Sequence, residues 1–147
     1  MIKLFEITIG QQEDILLEGT AGGDLLISAT GSGTFSGSRI SGKVLPVGMC
    51  TTYTPKSGLN LINAPVLLET DDGVKLLMKM EAYLHLPQEL EDRMLAGESV
   101  DPDKYYYKGT VTFDVENSEY SWLENKVFVC DGVIENWQSL KFGVYEI

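Results

Sequence analysis

His85 is the only histidine in the sequence and so the only side chain that titrates near neutrality without perturbation. On an extended strand it shares a face with Glu81 and Tyr83, which makes His85 or Glu81 a candidate catalytic base or acid. The competing reading is a hydrogen-bonded structural histidine, since Glu81 lies too far along a strand for direct contact unless the two side chains lean together. Tyr105, Tyr106 and Tyr107 put phenols on both faces of one strand, so at least one points inward, where its hydroxyl needs a partner or a ligand. Lys108 adds a charge able to stabilise a developing oxyanion. With Thr51, Tyr83 and Trp122, the residues Tyr105, Tyr107 and Lys108 make a candidate lining for an apolar pocket with polar tips. For Trp122, ordinary core is the alternative.

Other chemistries lack their parts. One histidine cannot make a three-histidine zinc site, and Cys50 and Cys130 form no close-spaced pair, so neither a metal nor another cofactor is expected. The two cysteines read as free thiols behaving as small hydrophobes, with a reactive thiol at Cys50 as the alternative. No nucleophile elbow appears for a Ser-His-Asp triad. Asp71 and Asp72 resemble paired carboxylates, but they precede Gly73 between two β-patterned runs, and turn chemistry accounts for them.

The glycine-rich stretch 31–48 comes near two nucleotide motifs and fails both. After Gly31, Gly33 and Gly37 a dinucleotide fingerprint must open a helix, whereas the following residues alternate and end at Pro46. Gly37, Gly42 and Lys43 match a phosphate-binding loop, but Val44 stands where Ser or Thr must hold Mg²⁺. The stretch reads instead as a tight corner between two strands of a curved sheet.

The elements that must position these residues are mostly strands. Residues 3–9 alternate, with Phe5, Ile7 and Ile9 on one face and Leu4, Glu6 and Thr8 on the other. Residues 10–14 are expected to break the strand before a short apolar piece at 15–18. Strands follow at 25–30, 39–45 and 51–53, with a turn over 55–58. Residues 61–70 and 74–84 form a hairpin through Asp71-Asp72-Gly73; on its second strand Val74, Leu76, Met78, Met80, Ala82 and Leu84 share an apolar face. Residues 87–96 form the one helix, acidic in its first turn and stopped by Gly97, either a cap on the sheet or a lid over a cavity. Strand pattern returns at 105–114, residues 118–124 read as a helical turn, and 127–129, 133–138 and 140–147 as closing strands, with Tyr120, Trp122 and Trp137 as core. The fold class expected is all-β: one domain over residues 1–147, a closed or nearly closed antiparallel barrel of about nine or ten strands with one short helix, because closure removes the sheet edges.

A formal net charge of −11, from 22 acidic and 11 basic residues, repels phosphate backbones at long range. Nucleic acid and anionic membranes are therefore not expected partners. The opening residues lack the pattern of a signal peptide and no apolar run reaches the ~20 residues of a membrane span, so a soluble, cytoplasmic protein is expected. Strands with contrasting faces suit self-association, and a homo-oligomer, a dimer first, is expected.

The stretch 31–48, then Leu68-Glu69-Thr70-Asp71-Asp72-Gly73, Ala96-Gly97-Glu98-Ser99-Val100-Asp101-Pro102 with Tyr105-Tyr106, Tyr120-Ser121-Trp122-Leu123 and Val127-Phe128-Val129 together resemble the DUF3237 family, also called UPF0311. The order and spacing agree from about residue 24 to the end. The resemblance implies a small antiparallel β-barrel whose biochemical role is open. The chain also departs from the family pattern. Where members usually carry Gly-Gly-Ala-Asp-Trp after Val44-Leu45-Pro46, this chain has Val47-Gly48-Met49-Cys50-Thr51, without the carboxylate and the indole. Lys79-Met80-Glu81-Ala82 replaces Arg-Asn-Arg-Gly, Tyr106-Tyr107-Lys108 replaces Tyr-Phe-Arg, and Trp122-Leu123-Glu124 replaces Trp-Leu-Asn, while His85 is kept.

These readings converge on a small-molecule-binding barrel for an apolar or aromatic ligand. The alternative is a cofactor-free isomerase, cyclase or hydrolase using the same pocket for acid–base chemistry. A second alternative is a structural barrel with a filled interior.

Overall fold

The structure is a computed structural model that describes residues 1–55, 59–136 and 139–147. The strands are β1 (Ile2–Thr20), β2 (Gly23–Ser36), β3 (Ser41–Val44), β4 (Met49–Thr54), β5 (Asn60–Thr70), β6 (Lys75–His85), β7 (Tyr106–Val115), β8 (Phe128–Asn136) and β9 (Ser139–Glu146), with the helix α1 (Gln88–Leu95) between β6 and β7. All pair antiparallel in the order β1-β9-β8-β7-β6-β5-β3-β2-β4, and pairing of β1 with β2 and of β5 with β4 closes the sheet. The result is a closed barrel of eight strand positions and nine strands. The position between β2 and β5 is shared: β3 pairs Gly42 with Thr70 of β5, and β4 pairs Thr51 with Asn63. Pro46, which has no N–H to give a ladder, sits at the break, where the Val47 N–H turns back to the Leu45 carbonyl at 2.8 Å.

The alternating pattern of the sequence becomes the inside and outside of this wall. On β6, Leu76, Met78, Met80, Ala82 and Leu84 are buried, and Lys75, Lys79, Glu81, Tyr83 and His85 are exposed. Each fully buried Leu, Val or Phe side chain contributes about 1.5–3 kcal/mol relative to exposure. The hairpin through Asp71-Asp72-Gly73 forms in the expected register, Glu69 opposite Lys75, with the Thr70 N–H on the Val74 carbonyl at 2.8 Å. The helix ends as its glycine predicts, in a Schellman motif: Glu98 N–H donates to the Arg93 carbonyl and Gly97 N–H to that of Met94, both at 3.0 Å.

Three local expectations are corrected. Residues 10–14 do not interrupt β1; register shifts at Ile9/Gln11 and Gln11/Asp14 absorb the irregularity as bulges, and pairing with β2 resumes from Asp14 opposite Ser28. Leu4 is buried with Phe5, because a register shift against β9 between Lys3 and Phe5 breaks the alternation there. Gly31 and Gly33 lie inside β2, where a Cβ on Gly33 would stand 1.9 Å from the Thr8 carbonyl oxygen. Close approach of β1 and β2, not a corner, requires glycine there. The expected turn beyond Pro55, the end of the strand at 133–138 and the core position of Trp137 lie outside the described residues. Among those residues no helix is long and apolar enough to cross a membrane.

One end of the barrel is filled. Phe5 meets Phe35 with ring centroids 5.2 Å apart, Phe113 meets Phe128 edge-on at 5.2 Å, and Phe5 meets Phe113 at 6.2 Å. Leu123, in the 3-10 turn Ser121–Asn125, is buried against this end. On β7, Phe113 stands ~20 Å along the strand from Tyr107 at a rise of about 3.4 Å per residue, and around Tyr107 the interior is hollow.

Candidate functional site

The hollow is a cavity of about 220 Å³ at the second end of the barrel. Leu26 of β2, Ile62 of β5, Leu84 of β6 and Leu140 of β9 supply apolar wall, and Leu86 and Glu91 bring α1 and its entry to the mouth. Leu90 is buried and holds the helix in place. Gln11, Thr52, Thr54, Asn60, Asn136 and Ser139 add polar groups. The Thr54 hydroxyl donates to Asn60 Oδ1 at 2.7 Å, which leaves the Asn60 amide N–H₂ facing other partners.

Tyr107 is the most deeply buried polar residue of the lining, 3% exposed. Its ring meets Phe142 edge-on with centroids 4.9 Å apart. Gly132 makes room for both: a Cβ there would stand 2.7 Å from carbons of each ring. The ring is thus held from two sides, while its hydroxyl makes no hydrogen bond with any of the described residues and opens onto the cavity. Burial, followed by the nearby Cys130 and Cys50 thiols, pushes the phenol far above its ordinary pKa. It is a neutral donor at any physiological pH.

The two thiols are equally quiet. Cys50 and Cys130 are free and buried. Burial raises the Cys50 pKa against the opposing contact of the Thr30 hydroxyl, 3.8 Å from its sulfur. Burial first, and the Asp131 carboxylate second, push Cys130 up to about 12. Neither is a thiolate nucleophile near neutral pH, so the alternative of a reactive Cys50 is set aside. Among the described residues no three His, Cys, Asp or Glu side chains are grouped to hold a metal ion.

Of the residues that sequence reasoning singles out, Tyr107 alone lines this cavity. Tyr105 is buried beside it, and its hydroxyl accepts the Ile134 N–H at 2.9 Å. Glu81, Tyr83 and His85 are exposed on the outer wall. Lys108 is outside as well, 3.0 Å from Asp131. Thr51, Glu81 and Tyr83 border one outer groove of about 240 Å³, and Tyr83 and Lys108 a second of about 640 Å³. Trp122 packs at the filled end, its ring 6.5 Å from that of Phe128 and covered by the Arg39 guanidinium at 4.1 Å. Sequence reasoning passed over Thr52, Asn60 and Glu91. The signal that finds Thr52 is its parity with the buried Cys50; the outward neighbour, Thr51, carries the same chemistry on the other face.

Comparison with known proteins agrees with this architecture. A family model described as "Protein of unknown function (DUF3237)" matches residues 1–147. A UPF0311 protein of Clostridium acetobutylicum is 32% identical over 130 residues, 87% of this chain and 82% of that protein. A crystal structure of a conserved protein of unknown function from Rhodopseudomonas palustris matches with a TM-score of 0.88 at 26% identity, covering 99% of this chain and 95% of that one. A β-barrel-like protein from Acinetobacter baumannii matches at 0.84 and 27%, covering 99% and 93%. The full-length match of the family model, on a barrel closed from β1 to β9, makes this chain a member of the DUF3237 family.

Proposed function

We propose that the protein is a small-molecule-binding barrel that holds a ring-sized, mostly apolar ligand in the cavity at its open end. The observation that carries this reading is the Tyr107 hydroxyl: borne on a buried ring held in place by Gly132 and Phe142, it faces the cavity without a hydrogen-bond partner among the described residues. A ligand acceptor would pair with that donor, and the surrounding Leu26, Ile62, Leu84 and Leu140 would reward an apolar body. An apolar cavity of about 150 Å³ admits benzene, so 220 Å³ suits one substituted ring.

The acid–base alternative draws no support from His85 and Glu81 at this cavity, since both side chains are exposed on the outer face of β6. Native mass spectrometry on protein purified gently from its own cells tests the binding reading. A reproducible extra mass that is lost or weakened in Tyr107→Phe is the expected result. A bare mass in repeated preparations, with no change in melting temperature across a panel of small aromatic compounds, would overturn it.

A further inference from the structure

The cavity's polar groups are specific enough to define the class of ligand, an inference that rests on the binding reading above. Its lining offers polar groups that make no side-chain hydrogen bond among the described residues, the Tyr107 O–H and the Asn60 N–H₂ left over once Thr54 has taken Oδ1 among them, with Gln11 and Thr52 beside them. A phenol O–H that faces the cavity is complemented by an acceptor on the ligand. Glu91 is the only charged side chain among the described residues that line the cavity, and it forms no ion pair with them. Among the described residues no Lys, Arg or His lines the cavity to receive an anion. A carboxylate or phosphate would lose its hydration without a compensating cation from the described residues, against both Glu91 and the net charge of −11.

We infer that the site selects uncharged, ring-sized carbonyl compounds, bound with the carbonyl oxygen on the Tyr107 hydroxyl and discriminated from the matching acids by Glu91. The Tyr107 phenol keeps its proton, so the donor is constant across neutral pH. The apolar walls bind the ring, and the hydrogen bond sets its direction.

Three compounds of similar shape test this: acetophenone, ethylbenzene and benzoate, titrated by ligand-observed NMR against the wild type, Tyr107→Phe and Glu91→Gln. In the wild type acetophenone is expected to bind about five- to tenfold more tightly than ethylbenzene, the worth of one neutral hydrogen bond, and benzoate at least tenfold more weakly than acetophenone. Tyr107→Phe should abolish the preference for the ketone while ethylbenzene binds as before, a pattern that a merely structural role for the ring would not give. Glu91→Gln should narrow the gap between acetophenone and benzoate by strengthening benzoate binding. Equal binding of acetophenone and ethylbenzene to the wild type, or tighter binding of benzoate, overturns the carbonyl inference and leaves the binding cavity standing. Failure of all three compounds to bind at millimolar concentration overturns the binding reading and this inference together.

Discussion

Tyr105 and Ile134 are joined by a hydrogen bond of 2.9 Å from the Ile134 backbone N–H to the Tyr105 hydroxyl oxygen. Two residues further on, the Tyr107 hydroxyl has no such partner among the described residues. The same side chain therefore plays opposite parts at the two positions, one closing the hollow end of the barrel and one left open to it.

Tyr105→Phe should cost about 1–3 kcal/mol, because it orphans a half-buried backbone donor. Tyr107→Phe should change stability by no more than about 1 kcal/mol in either direction, since it removes no protein hydrogen bond. Urea midpoints for the two variants check this contrast. Equal losses would mean that Tyr107 is engaged in a bond of its own.

The protein should lose stability at alkaline pH. An unfolded thiol ionises near pH 8.5, whereas folded Cys130 holds its proton up to about 12. Below the lower value both states are protonated and nothing is at stake. Above it the unfolded state releases a proton that the folded state keeps, so stability falls as pH rises, by about 1.4 kcal/mol per pH unit for each such group. Cys50 acts in the same direction, and Tyr107 joins above its ordinary range near 10. Urea melts between pH 8 and 11 should show the decline, with a shallower slope in Cys130→Ala.

Gly132→Ala should be destabilising out of proportion to one methyl group. The added carbon would stand 2.7 Å from ring carbons of both Tyr107 and Phe142, and overpacking of this kind costs about 1–3 kcal/mol. It should also weaken ligand binding by pushing the Tyr107 ring, which a thermal melt and the same NMR titration would report together.

On the outer wall, His85→Ala, Glu81→Gln and Lys108→Ala should each leave binding in the cavity within about twofold of wild type and stability within about 0.5 kcal/mol. All three side chains are exposed, and Lys108 loses only a surface ion pair with Asp131. A tenfold loss of binding in any of them would relocate the site to the outside of the barrel.

The sequence made legible whatever depends on neighbours in the chain. The Asp71-Asp72-Gly73 hairpin, the helix before Gly97 and the two faces of β6 follow from turn chemistry and period alone, and the barrel class follows from the number of strands. The site depends on register, which is not local. On β6 the odd residues Glu81, Tyr83 and His85 point out, while on β7 the odd residues Tyr107, Val111 and Phe113 point in. Only the pairing of Leu84 with Tyr107 puts those two facts together. Thr51 and Thr52 are indistinguishable in type, and bulges in β1 leave no residue signature, so neither the choice between the threonines nor the continuity of β1 was available from composition or pattern.

The pairing of Ile2 with Glu146 and of Gly10 with Ser139 has a kinetic meaning. Every other seam except those between β2 and β4 and between β3 and β5 joins consecutive strands, but this one joins the two ends of the barrel's chain. Its loop-closure entropy is the largest in the molecule, and topologies dominated by such contacts fold in milliseconds to seconds. Gln11 and Ser139 border the cavity beside this seam, so the binding site comes into being only when the barrel shuts. A ligand should accordingly slow unfolding while leaving the folding rate unchanged.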